Sequence, residues 1–299
     1  MDSAADRYMQ AAAAAGVEVL ALADHNSVDW AETMMRAGER HGIVVFPGFE
    51  VTSASGKDGA HLLVFAEPGT EVQELRILLS TACGFGEDHP PFDPSRPEQP
   101  SSSPHTMPQI LDKLSDRFLA VAPHVFSENG IASGNTADGD RRWKALHHDR
   151  LAAIDVGDGA VAIDDGTFRA RFIRRELENF PNLRNMAFVS SSDAYALDEI
   201  GSRFSWIRMA SPSIEGMRQA FLDHDARIIC DWDSRLVGRP DMPNSVSHSW
   251  VESITLRGLA TTEHALSVTF DPRLNVIIGG RGSGKSTIVT GLRNTYGDI

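Results

Sequence analysis

Apolar residues in this chain gather in short continuous runs, separated by segments in which they recur every three or four positions. Short runs predict buried strands and the recurring pattern predicts helices. Residues 3–15 are rich in alanine and read as a helix, with Ser3 as its N-cap and Gly16 as its end. A strand over 17–23 follows, then a helix over 30–41, a strand over 43–46 that ends near Pro47, Gly48, Phe49 and Glu50, and a strand over 61–65. Further on, the pattern predicts a helix over 110–118, a strand over 119–122 ending at Pro123 and His124, and a strand over 153–156. A helix over 168–180, a strand over 186–189 ending at Ser190 to Asp193, and a helix over 213–223 complete the series. Alternating helices and short buried strands argue for a parallel α/β barrel or sheet.

Three segments break the alternation. Residues 84–108 contain seven prolines, which should prevent regular structure, so a mobile lid or a disordered insertion is expected there. Residues 127–141, with Gly130, Gly134 and Gly139, read as another loop, and 231–249, rich in Asp, Pro, Ser and Asn, as a linker. Residues 253–270 resemble a β-hairpin.

The hairpin leads to Leu274, Asn275, Val276, Ile277 and Ile278, then to Gly279, Gly280, Arg281, Gly282, Ser283, Gly284, Lys285, Ser286 and Thr287. This is G-x-x-x-x-G-K-[ST] after an apolar, β-branched run that reads as a strand, with 286–293 reading as a helix. Glycines let backbone N–H groups converge on phosphate oxygens, and the helix N-terminus adds its positive dipole end. Lys285 would reach the β- and γ-phosphates of ATP and Ser286 would hold Mg²⁺. The plainer reading is a glycine-rich turn that precedes a lysine. The sequence ends twelve residues after Thr287, so a complete nucleotide-hydrolysing site is not expected within it.

Composition narrows the picture. With 299 residues and 41% hydrophobic content, the chain can form one large domain or one plus a fragment. A net charge of -13 argues against general nucleic-acid binding, and local basic clusters such as Arg141, Arg142 and Lys144 read as solvated helix faces. Cys83 and Cys230 lie outside any metal-ligand spacing and suit a reducing cytoplasm. Neither a basic leader nor a membrane-length apolar run is present, so neither secretion nor membrane insertion is indicated.

Asp24, His25, Glu50, His124 and Asp193 all fall at or just past the carboxyl ends of predicted strands, where parallel barrels build their chemistry. His61, at the start of its strand, belongs to the same group. Histidines and carboxylates converging from separate strands suit a site of two or three metal ions acting on phosphoryl oxygens and water. Taken singly, Asp24 to Asn26 could be an N-cap or Asx-turn, and Glu50 a helix-capping acid.

The ordered segments Val19-Leu20-Ala21-Leu22-Ala23-Asp24-His25-Asn26, Pro47-Gly48-Phe49-Glu50-Val51-Thr52, His61-Leu62-Leu63, Ala122-Pro123-His124 and Ser192-Asp193-Ala194-Tyr195 resemble motifs of the PHP (polymerase and histidinol phosphatase) domain. With the later Trp206 to Met209, Glu215 to Phe221 and the glycine loop, the arrangement is similar to the TrlF-like PHP-ATPases, in which a PHP domain precedes an ABC/SMC-like ATPase. The resemblance implies an α/β fold with a distorted (β/α)7 barrel over 1–230, a linker over 231–250 and the start of a P-loop ATPase domain over 251–299. It also implies a metal-dependent phosphoesterase acting on a phosphoester substrate, with DNA and RNA as candidates, coupled to ATP and dimerising through a complete ATPase domain.

Carried over residue by residue, the resemblance gives one Mn, Zn or Fe position to Glu50, His61 and His124. A second retains Glu50 and Asp193, and a third retains His25 alone. Asp24, His25 and Glu50 take the catalytic places. Two departures are visible: the strand carrying His-x-His that opens such domains is absent, which implies a fragment, and Tyr195 stands where the last motif usually has His. A phenol is a poor ligand at neutral pH. The alternative is therefore a catalytically degenerate module that binds metal or nucleotide and regulates or scaffolds an ATPase.

Overall fold

Side chains of an extended chain point alternately to its two faces, and in this protein that alternation divides the core in two. The computed structural model describes residues 2–54, 59–133, 139–157, 167–233, 248–259, 264–272 and 274–296. They form two compact units, 1–240 and 241–299.

In the first unit, α1 (Asp2–Ala14) buries Ala5, Met9 and Ala12 on one stripe and ends at Gly16, whose positive φ of 75° suits a residue without a side chain. Helix α2 (Ala31–His41) packs beside it, and Arg40 pairs with Asp6 at 2.8 Å. Strand β1 (Val19–Ala21) runs parallel to β2 (Val44–Phe46). The ladder continues beyond both: Leu22 N–H donates to Phe46 O, Asn26 N–H to Glu50 O and Glu50 N–H to Asp24 O.

Strand β3 (Gly48–Ser53) opens a five-stranded mixed sheet with β4 (Ala60–Ala66), β7 (Phe118–Ala122), β8 (Leu151–Asp155) and β9 (Ala187–Val189), in that order. β3 with β4 and β4 with β7 are antiparallel, whereas β7 with β8 and β8 with β9 are parallel. Phe49, Val51, Leu62 and Val64 face one core layer, shared with α1, α2, α3 (Val72–Thr81) and α4 (Met107–Asp112). Phe46, Phe65, Leu119, Val121, Ala153 and Ala187 face the other, where α7 (Ile214–Leu222), followed by the short α8 (His224–Arg227), contributes Ile214 and Phe221. Strands β10 (Ser205–Ile207) and β11 (Ile228–Cys230) form an antiparallel pair against that second layer.

Several expectations are corrected. The alternation argued for a parallel barrel or sheet, but the five-stranded sheet is mixed, with β3, β4 and β7 antiparallel to one another in turn. Only six residues join Ser53 to Ala60, enough for an antiparallel return but not for the crossover of about a dozen residues that a parallel neighbour needs. Glu50 lies within β3, not at a strand end, because Gly48 lets the chain continue between β1 and β4. A Cβ there would meet Val64 O at 2.6 Å and Leu22 O at 2.8 Å.

The proline-rich 84–108 region carries regular structure. Strands β5 (Phe92–Asp93) and β6 (Arg96–Pro100) make a small antiparallel ribbon. Its exposed prolines cost little because their missing N–H groups would otherwise face water. Beyond it, Ser103 N–H donates to Thr52 O, and Ala54 N–H to His105 O. The expected loop over 127–141 gives way at its end to α5 (Gly139–Leu146). The expected helix over 168–180 is a short α6 (Phe168–Ile173) followed later by a 3-10 turn at Pro181–Asn185.

In the second unit, β12 (Ser253–Leu256) and β13 (Leu266–Thr269) form the expected hairpin, and α9 spans Lys285–Tyr296. The segment 274–278 is not a strand: Leu274, Val276 and Ile278 are 86%, 71% and 87% exposed. A β-branched run forms a strand only beside a partner, and none pairs with it among the described residues. Most of the expected linker, 234–247, lies outside the described residues. No helix among the described residues is long and apolar enough to cross a membrane.

Gly48→Ala is expected to lower unfolding free energy in urea by about 1–3 kcal/mol through overpacking. Gly86→Ala, whose new Cβ would meet nothing within 4 Å, should stay within about 0.5 kcal/mol of wild type. Equal effects of the two would refute the close approach at Gly48.

Candidate metal centre

The strand face that buries Phe46, Leu63 and Phe65 also carries Glu50 and His61. In the β3–β4 register Glu50 opposes Leu63, and Thr52 opposes His61, so Glu50 and His61 are diagonal neighbours on one face. His25 comes onto the same face from the continuation of β1, where it bridges to Glu50. His124 follows the end of β7, and its Nε2 lies 3.4 Å from Glu50 Oε1 and 3.2 Å from His61 Nδ1. His61 Nδ1 contacts Glu50 Oε1 directly, and His25 Nδ1 stands 4.0 Å from the same oxygen. The imidazoles meet edge to face, with centroids 5.0 Å apart for His25–His61 and 5.1 Å for His61–His124.

Glu50 is 4% exposed. Burial pushes its carboxyl upward, but hydrogen bonds with His124 and His61 and the nearby imidazole charge reverse this and hold it at about 2. Burial pulls His25 below the usual imidazole value, against the charge of Glu50. Burial also lowers His124, but its hydrogen bond to Glu50 and the charges of Glu50 and Asp193 leave it raised.

The donor set fits a divalent cation. One ligand atom each from His25, Glu50 and His61 lies within 4.8 Å of the others. His25 Nδ1 is buried with no hydrogen-bond partner. An orphaned imidazole nitrogen aimed at a carboxylate is a strained arrangement for a metal-free protein and a natural one for a ligand.

Not every expected residue joins the cluster. Alternation turns Asp24 to the face opposite His25, where its charge raises the half-buried Tyr8 phenol after burial has done so. Asp193 is exposed beyond β9 and acts on His25 and His124 only as a nearby charge. Tyr195 is 85% exposed. The glycine-loop residues Gly279, Gly280, Gly282, Ser283, Gly284, Lys285, Ser286 and Thr287 all belong to the second unit, at the start of α9.

Three residues at this rim have left-handed backbone: Asn26 (φ 50°), His124 (φ 30°) and Asp193 (φ 47°). Asn26 and His124 turn the chain away just after a strand or its continuation, and Asp193 does so four residues past the end of β9, in the kind of backbone where strain is commonly stored in functional sites.

Sequence reasoning missed three supporting residues. Asn26 is 3% exposed, and its Nδ2 donates to Pro91 O and Ser101 O at 2.8 Å each, tying down the base of the β5–β6 ribbon. Ser127 Oγ meets His124 Nδ1 at 2.6 Å. Asp155, at the carboxyl end of β8, is raised by burial while Ser191 Oγ and Gly157 N–H donate to it. A carboxylate at a strand's carboxyl end was a usable signal for Asp155; the other two contacts depend on turns that sequence does not reveal.

The family model for the PHP domain matches residues 2–153. No curated protein matches the sequence. Among solved structures, the chain is similar to a Bifidobacterium adolescentis protein described as a candidate metal-dependent phosphoesterase: 11% identity, 65% of this chain and 83% of that one covered, TM-score 0.44. It is also similar to a sulfate-bound, metal-free amidohydrolase from Chromobacterium violaceum, at 16% identity over 74% and 90% of the two chains with TM-score 0.45. Neither overlap is close enough to carry residues across.

The pKa directions set a pH window for the metal-free protein. Glu50, depressed from 4.5 to about 2, stabilises the fold above pH 4.5, and that contribution is lost as pH falls through about 2. His124, raised above 6.5, stabilises below pH 6.5, and that contribution is lost as pH rises through its folded value. With chelator present, the melting-temperature difference between wild type and Glu50→Gln should be widest between pH 4.5 and 6.5 and narrow on both sides. A difference that does not vary with pH would mean that this contact adds no stability.

Proposed function

Because the chain belongs to the PHP-domain family, we propose that its first unit is a metal-dependent phosphoesterase module. The observation that carries this reading is the orphaned, buried His25 Nδ1 facing Glu50 and His61 in a set of donor atoms compact enough for one cation. His25, Glu50 and His61 would hold it, and His124, whose Nε2 lies 3.2 Å from His61 Nδ1 and 3.4 Å from Glu50 Oε1, would add a further ligand. A divalent cation supplies Lewis acidity toward a phosphoryl oxygen and toward water. Glu50, ionised throughout the working pH range, would fix that charge at the base of the site, and His25, neutral near pH 7, would offer a free lone pair. Phosphodiesters, including those of nucleic acids, are the substrate class proposed.

The exposure of Tyr195 and Asp193 favours a second reading, in which the same cluster binds one metal for regulation and does not hydrolyse. Mn²⁺-dependent hydrolysis of bis(p-nitrophenyl) phosphate separates the two. The enzyme reading expects turnover, with kcat/KM falling at least about 100-fold in Glu50→Gln, more than is usual for an outer partner of a metal ligand. Bound metal without turnover would support the regulatory module.

For the second unit we propose an ATP-phosphate cradle that begins a P-loop domain. Gly282 and Gly284 take φ of 84° and 86°, α9 starts at Lys285, and Lys285 Nζ lies on Gly279 O (2.5 Å) and Gly280 O (2.7 Å). These features support a loop whose lysine is held ready at an anion site. Lys285→Ala should weaken binding of Mg-ATP by at least about tenfold while leaving the metal content of the first unit unchanged. Unaltered ATP affinity would leave only a glycine-rich turn.

A further inference from the structure

We infer that Ser127 is a positioning residue that fixes the ring of His124 so that Nε2 faces the metal cluster; this rests on the proposed metal site. The two nitrogens of an imidazole point in different directions, so whatever holds one aims the other. Ser127 Oγ holds Nδ1 at 2.6 Å, a short contact for this pair of atoms, while Nε2 lies 3.2 Å from His61 Nδ1 and 3.4 Å from Glu50 Oε1. Turning the ring over would put a carbon where each nitrogen now sits, losing the contacts on both sides.

The turn that carries Ser127 is built to hold it there. His124 departs from β7 in left-handed backbone, and Ser127 N–H closes back on His124 O at 2.8 Å. Gly130 N–H then donates to Ser127 O, and a Cβ on Gly130 would lie 2.3 Å from Val125 O, so only glycine fits that closure. The same turn reaches the second histidine: Asn129 O accepts the backbone N–H of His61 at 3.0 Å. One short segment thus sets His124 through a side chain and His61 through the backbone. A hydroxyl suits the task because it accepts from Nδ1–H when Nε2 is a ligand and donates to Nδ1 when Nε2 carries the proton.

The test compares wild type, Ser127→Ala and Ser127→Thr in the full chain with two readouts. The first is ring-nitrogen NMR of His124 in the metal-free protein: one set of signals is expected in wild type and Ser127→Thr, and two sets, from two ring orientations, in Ser127→Ala. The second is calorimetric titration with Zn²⁺ alone, where Ser127→Ala should bind about 10- to 100-fold more weakly and Ser127→Thr should recover. Ser127 is exposed, so the alanine variant should keep the wild-type melting temperature. Identical His124 signals in all three proteins would overturn the inference whether or not Zn²⁺ binds. If wild type takes up no Zn²⁺ but the signals still split in Ser127→Ala, the positioning role stands and the metal reading falls.

Discussion

A carboxylate buried on a hydrocarbon face is the constraint around which the first unit is arranged. Isolated, an ion such as Glu50 would cost several kcal/mol to bury. It is tolerated because three imidazoles from three other stretches of chain converge on it. That convergence fixes much else: the register of β3 on β4, the continuation of β1 past Ala21 as far as Asn26, and the place where β7 stops. The same cluster leaves one buried nitrogen, His25 Nδ1, without a hydrogen-bond partner.

Strict alternation explains why so much of this was legible in the sequence. Apolar runs marked β2, β4, β7, β8 and β9 because both faces of each are covered. The histidines and Glu50 stood out as polar residues at the margins of those runs. What the runs could not show was parity across the gap at Pro47 and Gly48, which reads as a stop yet carries the chain straight into β3. Asp24, adjacent to His25 in sequence, falls on the other face by the same alternation.

Elsewhere, residue preference was overruled by surroundings. Prolines in 84–108 argued against structure, but the ribbon they occupy is open to water and its base is held from outside by Asn26. The β-branched residues of 274–278 argued for a strand, but a ladder needs a second chain. In both cases the local tendency was real and the neighbours decided the outcome.

Asn26 grips the β5–β6 ribbon only at its two ends, through the carbonyls of Pro91 and Ser101, which are themselves joined by Ser101 N–H to Pro91 O at 2.9 Å. Everything from Pro94 to Gln99 projects into solvent. For protein engineering the ribbon is therefore a grafting port. A peptide epitope or fluorophore-bearing insert at its tip would leave both gripped carbonyls in place, and with them the backbone beside His25.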